Sequence, residues 1–284
     1  MLIPKTEDRG FLLNRERYKT MAKTFRLLFI GDVIGSVSCS AVQALVPELR
    51  RELHLDAVIV NGENSAPNGF GITNDSMRTL LSVADFVTLG DHAFDQEESG
   101  ALLEQEQRMI RPLNFADNLP GRGWGMFEVN GVRVGVINLL GKLFMRPATT
   151  SAFEAASHAI GELKDAGAHL IIVDIQAEAT SEKQALGWYL AGKVTAVLGT
   201  HTHTPTADER ILPGGTAYIS DVGMTGGLDS IIGFNKNFLQ VFLGGKRFES
   251  SRPAAGPTRL DAVLIEADPT SGQATRIERV RREK

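Results

Sequence analysis

The sequence has a single cysteine, Cys39, among 284 residues, so no disulfide can form within the chain. This is typical of a reducing compartment. We expect Cys39 to be a small buried residue, because nothing near it in the sequence would activate its thiol. Long hydrophobic runs are also absent, and no apolar stretch approaches the roughly 20 residues that span a bilayer. The sequence therefore predicts neither a disulfide scaffold nor a membrane segment.

An excess of basic residues is missing too. The chain has 30 Lys and Arg against 34 Asp and Glu, a net charge of −4, which argues against general nucleic-acid binding. A small phosphate compound is not excluded, because a bound metal ion reverses the local field. Hydrophobic residues make up 43% and charged residues 23%, which is typical of an ordinary globular protein with a well-buried core.

The N-terminal segment shows little pattern. Residues 1–22 carry scattered charges of both signs and one apolar run of three residues, which does not make a signal peptide. We expect residues 1–22 to form a disordered extension, with Met21 as an alternative start to Met1. We expect residues 23–284 to form a single domain.

Six hydrophobic runs are present, and each ends in a short polar cluster. With their endings they are RLLFIGD (26–32), DAVIVNGEN (56–64), DFVTLGDH (85–92), HLIIVDIQ (169–176), VTAVLGTHTH (194–203) and TAYISDVG (216–223). Such runs, rich in Val, Ile and Leu, predict strands buried on both faces. Helical patterns alternate with them at residues 40–54, 73–83, 97–109, 151–166 and 181–191. The alternation predicts an α/β fold.

Other segments indicate antiparallel pairing. An Asn-Gly pair lies between two apolar runs within residues 125–140, which predicts a hairpin. Further strands are predicted at 238–248, 260–267 and 275–280, and a loop at 249–258. Asn74 and Ser181 are the predicted N-caps of their helices. Two facing sheets with helices outside them accommodate both the parallel units and the hairpins.

The polar clusters supply metal ligands. The carboxyl ends of strands in α/β proteins converge on the active site. His201 and His203 are alternate residues of an extended segment, so both imidazoles can face one site. Asp32 ends the first strand, and Glu63 and Asn64 lie in a loop rich in Gly and Asn that lets the backbone approach a ligand closely.

Two further clusters add to this set. Asp91 offers a carboxylate, and the adjacent His92 can reach past a bound cation to act as a general acid. Gln176 ends another strand with an amide. Each residue alone has an ordinary explanation, such as a turn Asp or a surface His. Together, without cysteine ligands, they favour a Mn, Fe, Zn or Mg centre.

The remaining histidines are expected to be structural. They lie in periodic helix or strand patterns, and they are His54, His158 and His169. Two loops, at 143–151 and 226–237, are expected to shape the substrate pocket.

The motifs taken together resemble a known family. GDVIG, NGENSAPNGFG, TLGDHAFD, VDIQAEATSEK, GTHTHTPTADE and YISDVGMTG, in this order over residues 25–242, resemble the YmdB-type branch of the calcineurin-like metallophosphoesterases. The resemblance implies a sandwich of two mixed β-sheets flanked by helices, and a dinuclear metal centre that often contains iron. It also implies phosphodiesterase activity on cyclic nucleotides, with the 2′,3′-cyclic type favoured. The expected setting is the bacterial cytoplasm, the expected partner is a small phosphodiester, and a homo-oligomer is left open.

The resemblance also implies a role for each site residue. One metal ion would be held by Asp32, Glu63, Asn64 and His203. Glu63 would bridge to a second ion, whose other ligands would be Asp91, Gln176 and His201. A hydroxide bridging the two metals would attack phosphorus, and His92 would be the proton donor.

Two positions depart from the family pattern, which has Asn in place of Asp91 and His in place of Gln176. One hypothesis is that the second metal site persists with a preference for harder ions such as Mn²⁺ or Mg²⁺. The opposing hypothesis is that Gln176 empties it, which leaves a weakly active or non-catalytic regulatory protein. A phosphomonoesterase is a third alternative, because the same two-metal chemistry permits it.

Overall fold

The structure, a computed structural model, describes residues 24–115, 119–145, 150–245 and 251–284. The strands are β1 (Phe25–Ile30), β2 (Asp32–Val33), β3 (Ala57–Asn61), β4 (Phe86–Thr88), β5 (Met109–Ile110), β6 (Trp124–Val129), β7 (Val132–Leu140), β8 (Leu170–Gln176), β9 (Ala196–Thr200), β10 (Arg210–Leu212), β11 (Thr216–Ile219), β12 (Met224–Gly227), β13 (Thr258–Asp268) and β14 (Gln273–Glu283). The helices are α1 (Gly35–Glu52), α2 (Asn74–Leu81), α3 (Ser99–Gln105), α4 (Ala152–Asp165), α5 (Thr180–Leu190) and α6 (Leu239–Phe242). The extension predicted at residues 1–22 lies outside the described residues.

The strands form two mixed sheets. The first has the order β2-β12-β13-β1-β3-β4-β5, with β14 paired to β13. Within it β1, β3, β4 and β5 are parallel, and β13 runs antiparallel to β1. The second has the order β10-β11-β9-β8-β7-β6, parallel in the middle and antiparallel at both edges. This confirms the predicted α/β sandwich of two mixed sheets.

Three apolar clusters account for the layering. Phe29 and Ile59 of the first sheet share one buried cluster with Ile172 and Leu198 of the second, so the two sheets face each other. The opposite face of the first sheet packs under α1 and α2. The opposite face of the second sheet packs under α4 and α5. Strands covered on both sides need near-continuous apolar sequence, which is why the six runs could be recognised.

The predicted hairpins form. β6 and β7 pair antiparallel, and their turn consists of Asn130 and Gly131 with φ of 54° and 78°. Positive φ at both central residues defines the tight hairpin turn that Asn-Gly favours. β13 and β14 form the second hairpin, where strands were expected at 260–267 and 275–280.

Three local predictions were wrong. The strand expected at 238–248 is helical at its start: a 3-10 turn (Lys236–Phe238) leads into α6. The side chain of Asn235 accepts a hydrogen bond from the Asn237 N–H and so begins this helical segment. The N-cap of α2 is Thr73 rather than Asn74, because the Thr73 hydroxyl accepts the Ser76 N–H at 3.2 Å. The N-cap of α5 is Ala179 rather than Ser181, and its side chain makes no capping hydrogen bond.

None of the helices in the described ranges is both long and apolar enough to cross a membrane.

Candidate metal centre

The eight site residues predicted from the sequence converge at the carboxyl edges of the two sheets. Asp32 lies in β2, and Gln176 ends β8. The others lie in the loops that follow β3, β4 and β9: Glu63, Asn64, Asp91, His92, His201 and His203. The carboxyl ends of parallel strands lie at the same edge of a sheet, and active sites of α/β proteins form there.

The Glu63 carboxylate is central to this cluster and is 1% exposed. Its Oε1 accepts a hydrogen bond from Gln176 Nε2. One ligand atom each from Glu63, Asp91 and His92 lies within 4.8 Å of the others, close enough for one cation to contact them. Gly90 makes room for this arrangement, since a Cβ there would lie 1.6 Å from Glu63 Oε2.

Asp32 Oδ1 and Glu63 Oε2 are buried carboxylate oxygens for which the described residues provide no hydrogen-bond partner. An unsatisfied buried acceptor is costly, and nearly all such groups in folded proteins are satisfied. A bound cation would satisfy both oxygens. The residues present therefore fit a metal ion.

The charges at the site point the same way. Burial raises the pKa of Asp32 from 3.8 to about 7, and the nearby Asp221 carboxylate adds to the rise. Burial also raises the pKa of Glu63 well above 4.5, and the negative charge of the Asp91 carboxylate raises it further. A cation among these groups would offset the repulsion and lower both pKa values.

The three histidines share a pattern. His92 Nδ1 lies 2.7 Å from Asp95 Oδ2, and its Nε2 is directed toward Asp91. His201 Nε2 lies 3.4 Å from Glu178 Oε2, and its Nδ1 lies 3.6 Å from Asp91 Oδ1. Each of these two rings therefore has an outer nitrogen near a carboxylate and an inner nitrogen facing the acidic cluster.

His203 follows the same rule with a backbone carbonyl. Its Nδ1 lies 2.9 Å from the Ile232 carbonyl oxygen, and its Nε2 lies 3.2 Å from Asn64 Oδ1. Metal-binding histidines usually donate from one nitrogen to a carboxylate or carbonyl, which fixes the tautomer and leaves the other nitrogen for the metal. Burial lowers the pKa of His201 and His203, so both favour the neutral ligand form.

A buried hydrogen-bond network lies beneath Gln176. Asp174 accepts hydrogen bonds from Thr88 Oγ1 at 2.6 Å, Thr200 Oγ1 at 2.7 Å and Asn61 Nδ2 at 3.0 Å. Gln176 Oε1 accepts from Thr200 Oγ1 at 2.5 Å. The amide oxygen of Gln176 therefore faces this network, and its nitrogen faces Glu63.

A cavity of about 350 Å³ opens over the cluster. Its polar wall includes Glu178 and Thr202 beside the predicted ligands, and its apolar wall is formed by Phe70, Ile232 and Phe234. This volume is in the range of small-molecule sites. Ile232 and Phe234 of the loop 226–237 line the cavity, whereas the loop 143–151 falls partly outside the described residues.

Several residues around the site had no role in the sequence-based prediction. Asp95 and Glu178 lie against the outer nitrogens of His92 and His201, and the Thr200 hydroxyl contacts both Gln176 and Asp174. All four residues lie inside motifs quoted from the sequence, so the sequence contained a signal for them. What the sequence could not supply was which of them point inward.

The other three histidines lie away from the cluster. His54 is exposed, and His158 pairs with Glu162 at 3.3 Å on the surface of α4. His169 Nδ1 accepts the Arg133 N–H at 2.9 Å. The structural roles expected of these three histidines stay predictions.

Comparison with known proteins supports a family assignment. The model of the YmdB-like protein family matches residues 28–280. A 2′,3′-cyclic-nucleotide 2′-phosphodiesterase of Bacillus subtilis is 42% identical over 261 residues, which cover 90% of this chain and 96% of that protein.

Two solved structures agree. A hypothetical protein from Thermus thermophilus superposes with a TM-score of 0.84 and 41% identity, covering 92% of this chain and 100% of the other. A phosphatase from Mycoplasma pneumoniae superposes with a TM-score of 0.84 and 33% identity, covering 93% and 95% of the two chains. The chain therefore belongs to the YmdB-like protein family of metallophosphoesterases, which confirms the family and the enzyme class predicted from the motifs.

Proposed function

We propose that this protein is a metal-dependent phosphodiesterase that hydrolyses 2′,3′-cyclic nucleotides. The observation that carries the proposal is the pair of buried carboxylate oxygens, Asp32 Oδ1 and Glu63 Oε2, which lack a protein partner among the described residues and share a site with three imidazoles. The activity named for the Bacillus subtilis relative supports the choice of substrate. The native metal is iron, as the family suggests, or Mn²⁺ or Mg²⁺.

The first metal ion would be held by oxygen atoms and one imidazole. Its ligands would be Asp32, Glu63, Asn64 and His203. The inner nitrogen of His203, Nε2, lies 3.2 Å from Asn64 Oδ1, so both already face the same point. The Ile232 carbonyl on its outer nitrogen would keep Nε2 deprotonated for the metal.

The second ion would share Glu63 and take Asp91 and His201 as further ligands. Gln176 would join them through Oε1, and this requires its amide to turn, because the nitrogen now faces Glu63. The anionic Asp91 and the amide oxygen favour hard ions such as Mn²⁺ or Mg²⁺. A metal content near one ion per chain, unchanged by added Mn²⁺, would contradict this second site.

Bound together, two such ions activate water and neutralise the charge of a phosphoryl group. The residues of this chain would do the rest. His92, held by Asp95 at 2.7 Å, presents Nε2 toward the cluster and would donate the proton to the leaving oxygen. Phe70 and Phe234 close the apolar side of the cavity and would exclude water from it.

We also propose the setting of the enzyme. Residues 23–284 would fold as one metallophosphoesterase domain. A cytoplasmic location is supported by the single cysteine, which is buried and far from reactive.

Three substrates would test the proposal. The metal-loaded protein is expected to hydrolyse 2′,3′-cyclic AMP and bis-p-nitrophenyl phosphate, and to hydrolyse p-nitrophenyl phosphate much more slowly. Faster turnover of the monoester would favour a phosphomonoesterase. No turnover of any substrate with Mn²⁺, Fe²⁺ or Mg²⁺ would favour a non-catalytic regulatory protein.

A further inference from the structure

A buried ion pair lies directly behind the segment that carries His201 and His203. Lys183 Nζ donates to Asp221 Oδ2 at 2.8 Å, and each side chain is 2% exposed. The same oxygen accepts from Thr202, from its N–H at 3.0 Å and from its hydroxyl at 2.8 Å. One carboxylate oxygen thus joins α5 to the residue between the two histidines.

The histidine segment needs such support. His201 has φ of 101° and His203 has φ of 61°, in the left-handed region that side chains other than Gly rarely adopt. Backbone strain of this kind persists only where surrounding interactions hold it. Thr202 lies between the two strained residues, so its double hydrogen bond to Asp221 restrains both.

The other oxygen of Asp221 is linked through Gly223 to β2, the strand that carries Asp32. Asp221 Oδ1 accepts the Gly223 N–H at 2.9 Å, and the Gly223 carbonyl accepts the Asp32 N–H at 3.1 Å. The carboxylate therefore lies between the segment of the two histidines and the strand that carries Asp32. His201 N–H also donates to Asp32 Oδ2 at 3.2 Å, which closes the ring of contacts.

The path of Lys183 depends on a glycine. A Cβ at Gly199 would lie 2.9 Å from Lys183 Cδ and 1.8 Å from the Ser220 carbonyl oxygen. The absence of a side chain there lets the lysine stem cross β9 and reach Asp221. Lys183 is buried on α5, and its ammonium group contacts Asp221 behind the histidine segment.

We propose that Lys183 is a positioning residue that acts through Asp221 to place His201 and His203 for metal binding. This inference rests on the proposed function, because it assigns the pair a role in the same metal centre. A buried ion pair is weak evidence for stability by itself, since apolar replacements of similar volume are often neutral. Its specific consequence is the geometry of the segment it holds.

The test compares two ion pairs. Lys183→Met alone would leave Asp221 as an unpaired buried charge, so the main variant is Lys183→Met with Asp221→Asn. The control is Arg50→Met with Asp85→Asn. Arg50 Nη2 lies 2.6 Å from Asp85 Oδ2, and the same oxygen accepts the Val58 N–H at 2.7 Å. This pair lies at the amino ends of β3 and β4, whereas the candidate site lies at their carboxyl ends.

Two measurements would be made on each full-length protein. Isothermal titration calorimetry would give the Mn²⁺ affinity, and hydrogen–deuterium exchange would follow residues 200–206. We expect the main variant to lose about 10–100-fold in Mn²⁺ affinity, the usual effect of removing a partner that orients a metal ligand. Exchange at residues 200–206 should rise. The control variant should keep the wild-type Mn²⁺ affinity and the wild-type exchange at residues 200–206, even if it is less stable.

The outcomes are distinct. Wild-type Mn²⁺ affinity in the main variant would overturn the positioning role while the proposed function stands. Wild-type protein that binds none of Mn²⁺, Fe²⁺ and Mg²⁺ would contradict the proposed function, and this inference with it. If the main variant does not fold, Thr202→Val is the second variant. It removes the hydroxyl that donates to Asp221 Oδ2 at 2.8 Å and lies 3.5 Å from the Thr204 carbonyl oxygen, and it leaves the Thr202 N–H bond to Asp221 in place. Reduced affinity in Thr202→Val supports the proposal, and unchanged affinity overturns it.

Discussion

Replacing Gly90 with alanine should disable the metal centre with a single methyl group. The added Cβ would lie 1.6 Å from Glu63 Oε2, 2.6 Å from Glu63 Cδ and 2.7 Å from Gln176 Cδ. All three are far inside van der Waals contact, so the Glu63 carboxylate would have to move. Gly90 is not among the glycines with positive φ, so the conflict comes from the methyl group and not from backbone strain.

The size of the effect follows from this overlap. Inserting a methyl group into a packed interior typically costs about 1–3 kcal/mol of folding stability, an amount most folded proteins survive. The functional cost should be larger, because misplacement by about 1 Å in an active site can lower the rate by about 100-fold. Gly90→Ala should therefore fold, bind less metal than the wild type and hydrolyse bis-p-nitrophenyl phosphate at least about 100-fold more slowly.

Gly161→Ala is the matched control. A Cβ at Gly161, within α4, meets nothing within 4 Å. Alanine in a helix is favoured over glycine by about 0.5–1 kcal/mol, so this variant should be as stable as the wild type or more so. Thermal denaturation, metal analysis and turnover of both variants check the reasoning. Wild-type metal content and turnover in Gly90→Ala would refute the central place given to Glu63.

Three further outcomes are expected. His92→Ala should lower turnover while metal content stays near normal, because a proton donor affects rate without unloading the site; loss of metal would make His92 a ligand instead. Gln176→His should raise the affinity for a second equivalent of Mn²⁺, because an imidazole replaces an amide whose oxygen now faces away from the cluster. An unchanged second binding step in titration calorimetry would contradict this. Burial raises the pKa of the Cys39 thiol to about 12, so at about pH 8 a thiol reagent should label the native protein very slowly and the guanidinium-unfolded protein rapidly. Rapid native labelling would show that Cys39 is accessible.

The fold was largely predictable because its strands are covered on both faces. Continuous apolar runs such as 27–30 and 170–173 can be recognised from the sequence alone, without knowing which strands they pair with. Short strands such as β2 and β12 were not predicted, because two to four residues are too few to show the hydrophobic pattern of a strand. Their pairing, Asp32 with Met224 and Val33 with Thr225, depends on contacts far apart in the chain.

The prediction of a strand at 238–248 was wrong for a related reason. The apolar residues from Phe238 onward read as a strand, but Phe238 instead packs in a cluster with Phe70 and Phe234. Composition alone cannot separate a short apolar helix from a strand. The difference was decided by aromatic contacts that the sequence does not display.

The sequence indicated which candidate residues lie close together in the structure, but it did not indicate how their side chains are oriented. Strand endings brought the ligand candidates together, as expected for α/β proteins. The direction of the Gln176 amide depends on Thr200, and the outer partner of His203 is a backbone carbonyl, that of Ile232. Every residue has a backbone carbonyl, so no sequence motif could have indicated which one contacts His203.

The most direct test of the account is hydrolysis of 2′,3′-cyclic AMP by the full-length protein after metal removal with a chelator and again after addition of Mn²⁺. The account predicts that activity is lost with the metal and returns with it, and that Glu63→Gln shows no such return. Hydrolysis that continues at the same rate in the chelated protein would contradict the metal centre. Absence of hydrolysis in a protein shown to be loaded with metal would contradict the proposed substrate.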